Sequence, residues 1–231
     1  LVALALKDKG GARIAAELGA FGCEVMEDSK QHHRIVTVQR PEILQGIEEV
    51  LAAGSVQRHP AHGLWTQPGI FSWDRIDAGS QLLLQHLPEF KGKGADFGCG
   101  LGVLSQAILR SNLVTSLVLV DVDRRAVDCA RRNVADTRAA FAWADIREAS
   151  PAAMGSLDFV VMNPPFHTAG AEDRSLGQRF IAAAADALKT GGQCWITANR
   201  HLPYEALLGT LFAEVMPVAE ADGFKVYQAV K

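Results

Sequence analysis

The sequence predicts an α/β fold with a mostly parallel, doubly wound sheet, and three observations support this. From residue 93 onward, short apolar runs typical of buried parallel strands alternate with helix-like segments. Several runs end in an acidic residue, a glycine or an asparagine, at the strand ends where such sheets bind ligands. The last two predicted strands, Glu214–Ala219 and Phe224–Val230, are joined by a loop too short for a crossover, so they must be antiparallel.

Length and composition indicate one α/β domain with a small appendage. The chain has 231 residues, of which 48% are hydrophobic and 21% charged, as in soluble globular proteins. No apolar run reaches membrane-spanning length, and no secretory signal is visible. The four cysteines are scattered, which predicts a reducing, cytoplasmic location. The net charge of −3 disfavours an extended nucleic-acid footprint. Because the chain starts at Leu1 without a methionine, in a run whose pattern indicates a strand, we expect that upstream sequence is missing.

Residues 1–63 are predicted to form two strand–helix units that carry no catalytic pattern. The predicted elements are a strand at Val2–Leu6, a helix at Gly11–Leu18, a strand at Arg34–Val38 and a helix at Pro41–Ala53. His59 and His62 have a metal-ligand spacing, but they lie in a Pro/Gly-rich linker without a third ligand, so we predict no metal site.

The linker that follows carries three aromatic residues, Trp65, Phe71 and Trp73, whose default role is to attach this segment to the main domain. Ser80 is predicted to be the N-cap of a helix at Gln81–Leu87.

The main domain opens with a glycine-rich loop. A predicted strand, Lys93–Phe97, leads into Asp-Phe-Gly-Cys-Gly-Leu-Gly at 96–102, and a helix follows at Val103–Leu109. Glycines at 98, 100 and 102 allow a tight turn and a close approach to a ligand. The loop lacks the dinucleotide spacing and a phosphate-binding lysine, and Asp96 would repel phosphate. These features favour a cationic or amine-bearing ligand.

Two further predicted strands end in acidic residues. Leu117–Val120 is followed by Asp121, which is placed to accept both hydroxyls of a ribose. Ala139–Ala144 is followed by Asp145, which could accept a hydrogen from an adenine amine. Each carboxylate alone is more often a helix cap, but three in succession at strand ends favour a nucleoside ligand.

A buried strand, Phe159–Met162, ends in Asn163-Pro164-Pro165-Phe166. Two prolines stiffen this loop. The Asn163 side-chain oxygen and the Pro164 carbonyl could hold both hydrogens of a planar amine and free its lone pair for attack, while Phe166 stacks on the ring that carries the amine. The structural alternative is a rigid proline turn with a capping asparagine. Beyond this loop, the sequence predicts a helix at Leu176–Leu188, a strand at Gln193–Ala198 and a helix that starts near Pro203.

The glycine-rich loop, the two strand-end aspartates and Asn-Pro-Pro-Phe together resemble the class I S-adenosylmethionine-dependent amino-methyltransferases. Five segments resemble, more narrowly, the RsmC/RlmG-type ribosomal RNA guanine-N2 methyltransferases: Pro68-Gly-Ile-Phe-Ser-x-Asp74, Asp77-x-Gly-Ser-Gln-Leu-Leu-Leu84, Asn163-Pro-Pro-Phe-His167, Ala198-Asn-x-x-Leu-Pro-Tyr204 and Gly223-Phe-Lys-Val-Tyr227. The resemblance covers roughly residues 64–231. It implies a Rossmann-like, seven-stranded, mostly parallel sheet with an antiparallel final hairpin, and it implies that 1–63 is a reduced remnant of a degenerate methyltransferase-like domain.

The resemblance also implies roles for individual residues. The predicted cofactor-binding residues, for S-adenosylmethionine and its product S-adenosylhomocysteine, are Ser80, Asp96, Phe97, Gly98, Cys99, Gly100, Gly102, Asp121, Val122, Asp145, Ile146 and Asn163. The predicted catalytic residues are Asn163, Pro164, Pro165 and Phe166. The predicted substrate-binding residues are Phe71, His167, Asn199 and Lys225.

The implied activity is methylation of a guanine N2 amine in ribosomal RNA, with 16S RNA or a subunit assembly intermediate as partner, by a monomer without a metal or a membrane. Two alternatives stay open. One is an amino-methyltransferase acting on protein glutamine or DNA adenine, whose families usually carry Tyr at the position of Phe166. The other is a non-catalytic scaffold whose cofactor site has decayed.

Overall fold

The computed structural model describes residues 1–148, 155–165, 167–168, 171–172 and 174–231. The chain divides into two compact units, Leu1–Ser55 and Val56–Lys231. The linker residues 56–63 therefore pack with the second unit. In the described part of the chain, no helix combines the length and the apolar character needed to cross a membrane.

The first unit is built on a three-stranded antiparallel sheet. Its elements are β1 (Val2–Leu6), α1 (Ile14–Ala20), β2 (Glu24–Lys30), β3 (His33–Gln39) and α2 (Ile47–Ala53). The strand order is β1-β3-β2, and both pairings are antiparallel. Val36 and Val38 of the central strand are buried.

The prediction of two strand–helix units in this region was partly wrong. Strand β2 was missed because its sequence, Glu-Val-Met-Glu-Asp-Ser-Lys, is polar and mostly exposed. It forms a hairpin with β3 through Gln31 and His32, which both adopt positive φ angles (48° and 63°). Helix α2 starts at Ile47 rather than Pro41 because Gly46, at a φ of 64°, breaks the helical backbone.

The second unit contains the remaining elements. They are β4 (Gln57–Arg58), β5 (Trp65–Thr66), α3 (Ala78–His86), β6 (Gly92–Phe97), α4 (Val103–Ile108), β7 (Val114–Asp121), α5 (Arg124–Asn133), β8 (Ala139–Trp143), β9 (Leu157–Met162), β10 (His167–Thr168), β11 (Ala171–Glu172), α6 (Arg174–Ala187), β12 (Leu188–Asn199), α7 (Glu205–Leu211), β13 (Glu214–Ala221) and β14 (Phe224–Val230).

Seven of these strands form one sheet in the order β13-β14-β12-β9-β6-β7-β8. The five strands from β12 to β8 are parallel, whereas β14 and β13 run antiparallel to their neighbours. Asp222 and Gly223 turn the final hairpin with φ angles of 50° and 81°, which suits a tight two-residue turn. The predicted Rossmann-like sheet with an antiparallel final hairpin is confirmed.

Helices cover both faces of this sheet. In β9, Phe159 and Val161 face the cluster that includes residues of α3 and α4, whereas Val160 and Met162 face the cluster that includes residues of α6 and α7. Because side chains alternate along a strand, a parallel strand buried on both faces becomes a continuous apolar run. This explains why the sequence signal for β9 was strong.

The start of α3 corrects one prediction. Asp77, rather than Ser80, is the N-cap, because Asp77 Oδ2 accepts a hydrogen bond from the Ser80 backbone N–H at 3.0 Å. Ser80 lies inside the first helical turn, so its hydroxyl is available for another contact.

Two of the linker aromatics attach the linker to the main domain. Asn133 on α5 accepts from the Trp65 N–H at 2.8 Å and donates to the Trp65 carbonyl at 2.9 Å. Trp73 packs against a small cluster that contains Ile70 and Leu101. Phe71 differs from both, because it remains 61% exposed.

Candidate functional site

The loops at the carboxyl ends of adjacent parallel strands surround a cavity. Phe97 at the end of β6 pairs with Val120 of β7 and Met162 of β9, so the loops that follow start at the same edge of the sheet. The cavity has a volume of about 490 Å³, within the usual range for small-molecule sites. Its lining consists of Ile70, Phe71, Gly98, Gly100, Asp121, Val122, Asp123, Ala126, Ala144, Asp145, Ile146, Arg147, Asn163, Pro164, Pro165, Leu176 and Phe180.

The glycine-rich loop lines the cavity with bare backbone. Gly98 and Gly100 adopt positive φ angles of 74° and 51°, and a Cβ atom at Gly100 would meet nothing within 4 Å. A ligand can therefore approach this backbone closely. Gly102 has a different role, because a Cβ there would lie 2.8 Å from the Val134 side chain. Gly102 lets α4 pack against the end of α5 and does not line the cavity.

Asp121 connects the glycine-rich loop to the end of β7. Its Oδ2 accepts from the Gly100 N–H at 2.9 Å, and its Oδ1 accepts from the Asp123 N–H at 2.8 Å. Burial raises the pKa of this carboxyl, while these backbone hydrogen bonds oppose the rise. Each carboxylate oxygen can accept a second hydrogen bond, so Asp121 can bind hydroxyl groups and hold the loop at the same time.

Asp145 lines the cavity as half of an ion pair. Arg147 Nε lies 2.8 Å from Asp145 Oδ1, and the guanidinium lowers the pKa of the carboxyl. The side chain is therefore held as a carboxylate. A ligand amine would therefore share this carboxylate with Arg147. The sequence did not predict the contact between Arg147 and Asp145.

Asp96 and Phe97 lie behind the wall of the cavity, so the structure does not place these two predicted cofactor contacts on its surface. Both are fully buried. Asp96 Oδ2 accepts from Ser105 Oγ on α4 at 2.6 Å, whereas its Oδ1 is buried without a hydrogen-bond partner. Burial, reinforced by Asp121, raises the Asp96 pKa to about 7. Because side chains alternate between the two faces along a strand, Asp96 points toward α4 on one face of the sheet and not into the cavity at the carboxyl ends of the strands.

Asn163 lies where the main cavity meets a smaller one of about 50 Å³. Its Nδ2 donates to Asp77 Oδ2 at 2.7 Å and to Ser80 Oγ at 2.9 Å. The smaller cavity is lined by Phe71, Ser72, Arg75, Ile76, Asp77, Ser80, Gly98, Cys99, Gly100, Leu101, Val103, Leu104 and Asn163. Two amide protons with two acceptors leave Asn163 Oδ1 as the atom that can accept from a ligand.

The structure does not bring all the predicted substrate residues together. Lys225 forms an ion pair with Glu205 at 2.7 Å and lines a separate depression on β13 and β14. Asn199 is buried at the end of β12, where it pairs with Phe224. Both predicted contacts with the substrate are therefore unsupported by position. Phe166 lies outside the described residues, and for His167 only the backbone, in β10, is described.

Sequence patterns missed several residues that build this site. Asp77 is the most important, because it contacts Asn163 although the two are 86 positions apart. The only signal was the Asp77-x-Gly-Ser segment in the family resemblance. The apolar lining residues Ile70, Leu176 and Phe180 carry no local signal that separates them from ordinary core. Among the described residues, no cluster of three or more His, Cys, Asp or Glu could hold a metal ion.

Comparison with known proteins identifies the family. The family model described as the methyltransferase small domain matches residues 61–228. The chain belongs to this methyltransferase family. The ribosomal RNA small subunit methyltransferase C of Stutzerimonas stutzeri is 32% identical over 238 residues, covering 97% of this chain and 69% of the relative. That of Shewanella loihica is 37% identical over 160 residues, covering 69% of this chain and 46% of the relative.

A solved methyltransferase structure matches the whole chain. The T. thermophilus 16S rRNA N2 G1207 methyltransferase (RsmC), in complex with AdoMet and guanosine, superposes with a TM-score of 0.78 at 25% identity. The match covers all of this chain and 64% of that one. The resemblance to RsmC-type class I methyltransferases is thus confirmed. This methyltransferase chain spans between about half and two thirds of the length of these relatives.

Proposed function

We propose that this methyltransferase moves a methyl group from S-adenosylmethionine to the exocyclic N2 amine of a guanine in ribosomal RNA, with 16S RNA as the substrate. The observation that carries the proposal is the Asn163 amide, held at the cavity edge with both protons committed to Asp77 and Ser80. This arrangement presents a neutral oxygen acceptor of fixed orientation next to a nucleoside-sized cavity. The related T. thermophilus enzyme is an N2 guanine methyltransferase of 16S rRNA, as its name states.

The residues around the cavity fit S-adenosylmethionine. The bare backbone of Gly98 and Gly100 accommodates the methionine portion, Asp121 can accept from the ribose hydroxyls, and Val122 and Ile146 supply apolar surface for the adenine. The bound cofactor supplies an electrophilic methyl group on a positively charged sulfonium. The Asp121 carboxylate lies on the wall of the cavity, where its negative charge suits that sulfonium.

The chain's own contribution to the chemistry is to position the target amine. Asn163 Oδ1 and the Pro164 carbonyl accept its two hydrogens and so favour a tetrahedral nitrogen with an available lone pair. As the nitrogen gains positive charge, these acceptors stabilise it more strongly than they stabilise the planar amine, which is the differential binding that lowers a barrier. The alkylated nitrogen is acidic, so its proton passes to solvent without a dedicated strong base.

An aromatic ring for stacking lies at the mouth of the site. Phe71 is 61% exposed and lines both cavities, so it is a suitable platform for a splayed-out base. Stacking of this kind is worth about 1–3 kcal/mol per base. Phe166 and His167 remain predictions from the sequence alone.

The outer surface of the second unit offers chemistry for RNA. Arginine guanidinium groups stack on three aromatic rings: Arg58 and Arg132 over Trp65 at 5.6 and 5.1 Å, Arg131 over Phe141 at 5.2 Å, and Arg124 over Trp143 at 5.9 Å. Arginine with aromatic faces is a common combination for binding phosphates and unpaired bases. We therefore place RNA docking on this surface despite the net charge of −3.

We further propose that residues 1–63 are a reduced methyltransferase-like segment that assists in RNA docking. The compact antiparallel unit Leu1–Ser55 lies within this segment and offers basic side chains, among them Lys30 on β2 and Arg34 on β3. It carries none of the residues that line the cavity.

The test is methyl transfer from labelled S-adenosylmethionine to small ribosomal subunits or 16S RNA prepared from a strain that lacks the corresponding methyltransferase. Nuclease digestion and mass spectrometry should give N2-methylguanosine as the product. Asn163→Ala should lower turnover by roughly a hundredfold, because it removes one preorganised polar group. A product methylated on adenine, or S-adenosylhomocysteine binding without transfer to any amine, would reject the proposal.

A further inference from the structure

We infer that Asp77 is a positioning residue that fixes the orientation of the Asn163 amide, and this inference rests on the proposed function. Asp77 lies at the N-terminus of α3, where its Oδ2 caps the helix through the Ser80 N–H. The same oxygen accepts from Asn163 Nδ2 at 2.7 Å. One carboxylate oxygen thus joins the first turn of α3 to the catalytic loop after β9.

The direction of these hydrogen bonds follows from the chemistry of a carboxylate. An ionised carboxylate only accepts, so it must face the NH₂ side of an amide and repels the oxygen side. Ser80 Oγ provides a second acceptor for the same nitrogen at 2.9 Å. Flipping the amide would lose both bonds and bring two oxygens together. Asp77 therefore keeps Asn163 Oδ1 available to the target amine.

The surrounding packing fixes Asp77 in this position. A Cβ atom at Gly79 would lie 3.1 Å from Asp77 Oδ2 and 2.7 Å from the Phe224 ring, so only glycine lets the first turn of α3 fit between them. Gly79 is accordingly buried. The carboxylate is held by the helix on one side and by Asn163 on the other, and it has no need to contact substrate.

Comparing Asp, Asn and Ser at position 77 distinguishes a role in positioning the Asn163 amide from a role in capping α3. Asp, Asn and Ser are about equally good N-caps, so Asp77→Asn and Asp77→Ser should both keep the helix and the fold. Asn retains an oxygen that can reach Asn163, but without the charge. Ser can cap α3, but it is too short to reach Asn163.

We expect turnover to decrease in the order Asp, Asn, Ser. Asp77→Asn should lose less than about tenfold and Asp77→Ser roughly 30- to 100-fold, approaching Asn163→Ala. The KM for RNA and the Kd for S-adenosylhomocysteine should change less than about threefold. Asp186→Asn, which changes an exposed carboxylate near the end of α6, is the matched control and should leave turnover unchanged.

Equal turnover for all three residues would overturn the inference and leave Asp77 as a cap. A parallel loss of S-adenosylhomocysteine binding would also overturn it, because the defect would then lie in the cofactor site. Failure of the proposed function is recognised separately, as a wild-type protein that methylates no guanine. In that case NMR hydrogen exchange of the Asn163 side-chain amide protons still tests the inference. These protons should be protected from exchange in the wild type and should lose that protection in Asp77→Ser.

Discussion

Asp96 should make the stability of the protein depend on pH near neutrality. The side chain is fully buried, one oxygen is bonded to Ser105 Oγ, and the other oxygen has no partner. Its pKa is raised from 3.8 to about 7, chiefly because burial disfavours the charged form. Replacing Asp96 by Asn keeps an acceptor for Ser105 and removes the ionisation.

The sign follows from proton binding. Between pH 3.8 and about 7 the folded protein holds a proton on Asp96 that the unfolded chain has released, so the free energy of unfolding falls as pH rises through this window. Each pH unit is worth about 1.4 kcal/mol. From about pH 5 to pH 7 the wild type should lose roughly 2–3 kcal/mol that Asp96→Asn does not lose.

The assay is urea unfolding of both proteins at half-unit intervals from about pH 5 to pH 8. Subtracting the free energy of unfolding of the variant from that of the wild type at each pH removes the contributions of the histidines, because both proteins share them. Asp128→Asn, exposed on α5, serves as a control whose difference from the wild type should stay flat. Parallel pH profiles for wild type and Asp96→Asn would show that Asp96 ionises as an ordinary carboxylate and refute the reasoning.

Three further predictions test the site, the surface and the core. Asp121→Ala should weaken S-adenosylmethionine binding at least about tenfold by calorimetry, because it removes the proposed ribose acceptor and the tether on Gly100; an unchanged Kd would rule out Asp121 as a cofactor contact. Charge reversal of Arg131 and Arg132 should reduce RNA affinity and its salt dependence while S-adenosylhomocysteine binding persists, and an unchanged salt slope would locate RNA elsewhere. Gly94→Ala should destabilise the fold by about 1–3 kcal/mol or more in urea unfolding, because the new Cβ would lie 2.1 Å from the Phe159 ring. Gly209→Ala is the control, because a Cβ at Gly209 would meet open space. Equal stability of the two variants would contradict the packing argument.

The sheet was predictable because its signals are local. The run Phe159–Met162 is buried on both faces, and such runs cannot form half-exposed strands. The antiparallel hairpin followed from the length of one loop. Strand β2 was not predicted because it lacks such a local signal: a polar edge strand in a small sheet has neither an apolar run nor a clear alternation of apolar and polar residues.

The site was predictable in outline and not in detail. Strand ends converge in any parallel sheet, so glycines, Asp121 and Asn163 could be expected near one another. The direction in which one side chain points is harder to predict, as Asp96 shows. Asp96 precedes the last residue of its strand, Phe97, and therefore points to the opposite face of the sheet. Contacts such as those of Asp77 with Asn163 and of Arg147 with Asp145 depend on tertiary geometry that no local pattern encodes.

The fold stabilises in different ways the acidic side chains that lie in or next to the candidate active site. Asp145 is neutralised by Arg147, and Asp121 is bonded to two backbone N–H groups. Asp77 caps α3 and holds Asn163, while Asp96 is buried behind the cavity and burial raises its pKa to about 7. The arrangement keeps negative charge beside the cavity without placing a bare carboxylate against the proposed target amine. A positively charged methyl donor is thereby favoured, and the acceptor that faces the amine stays a neutral amide.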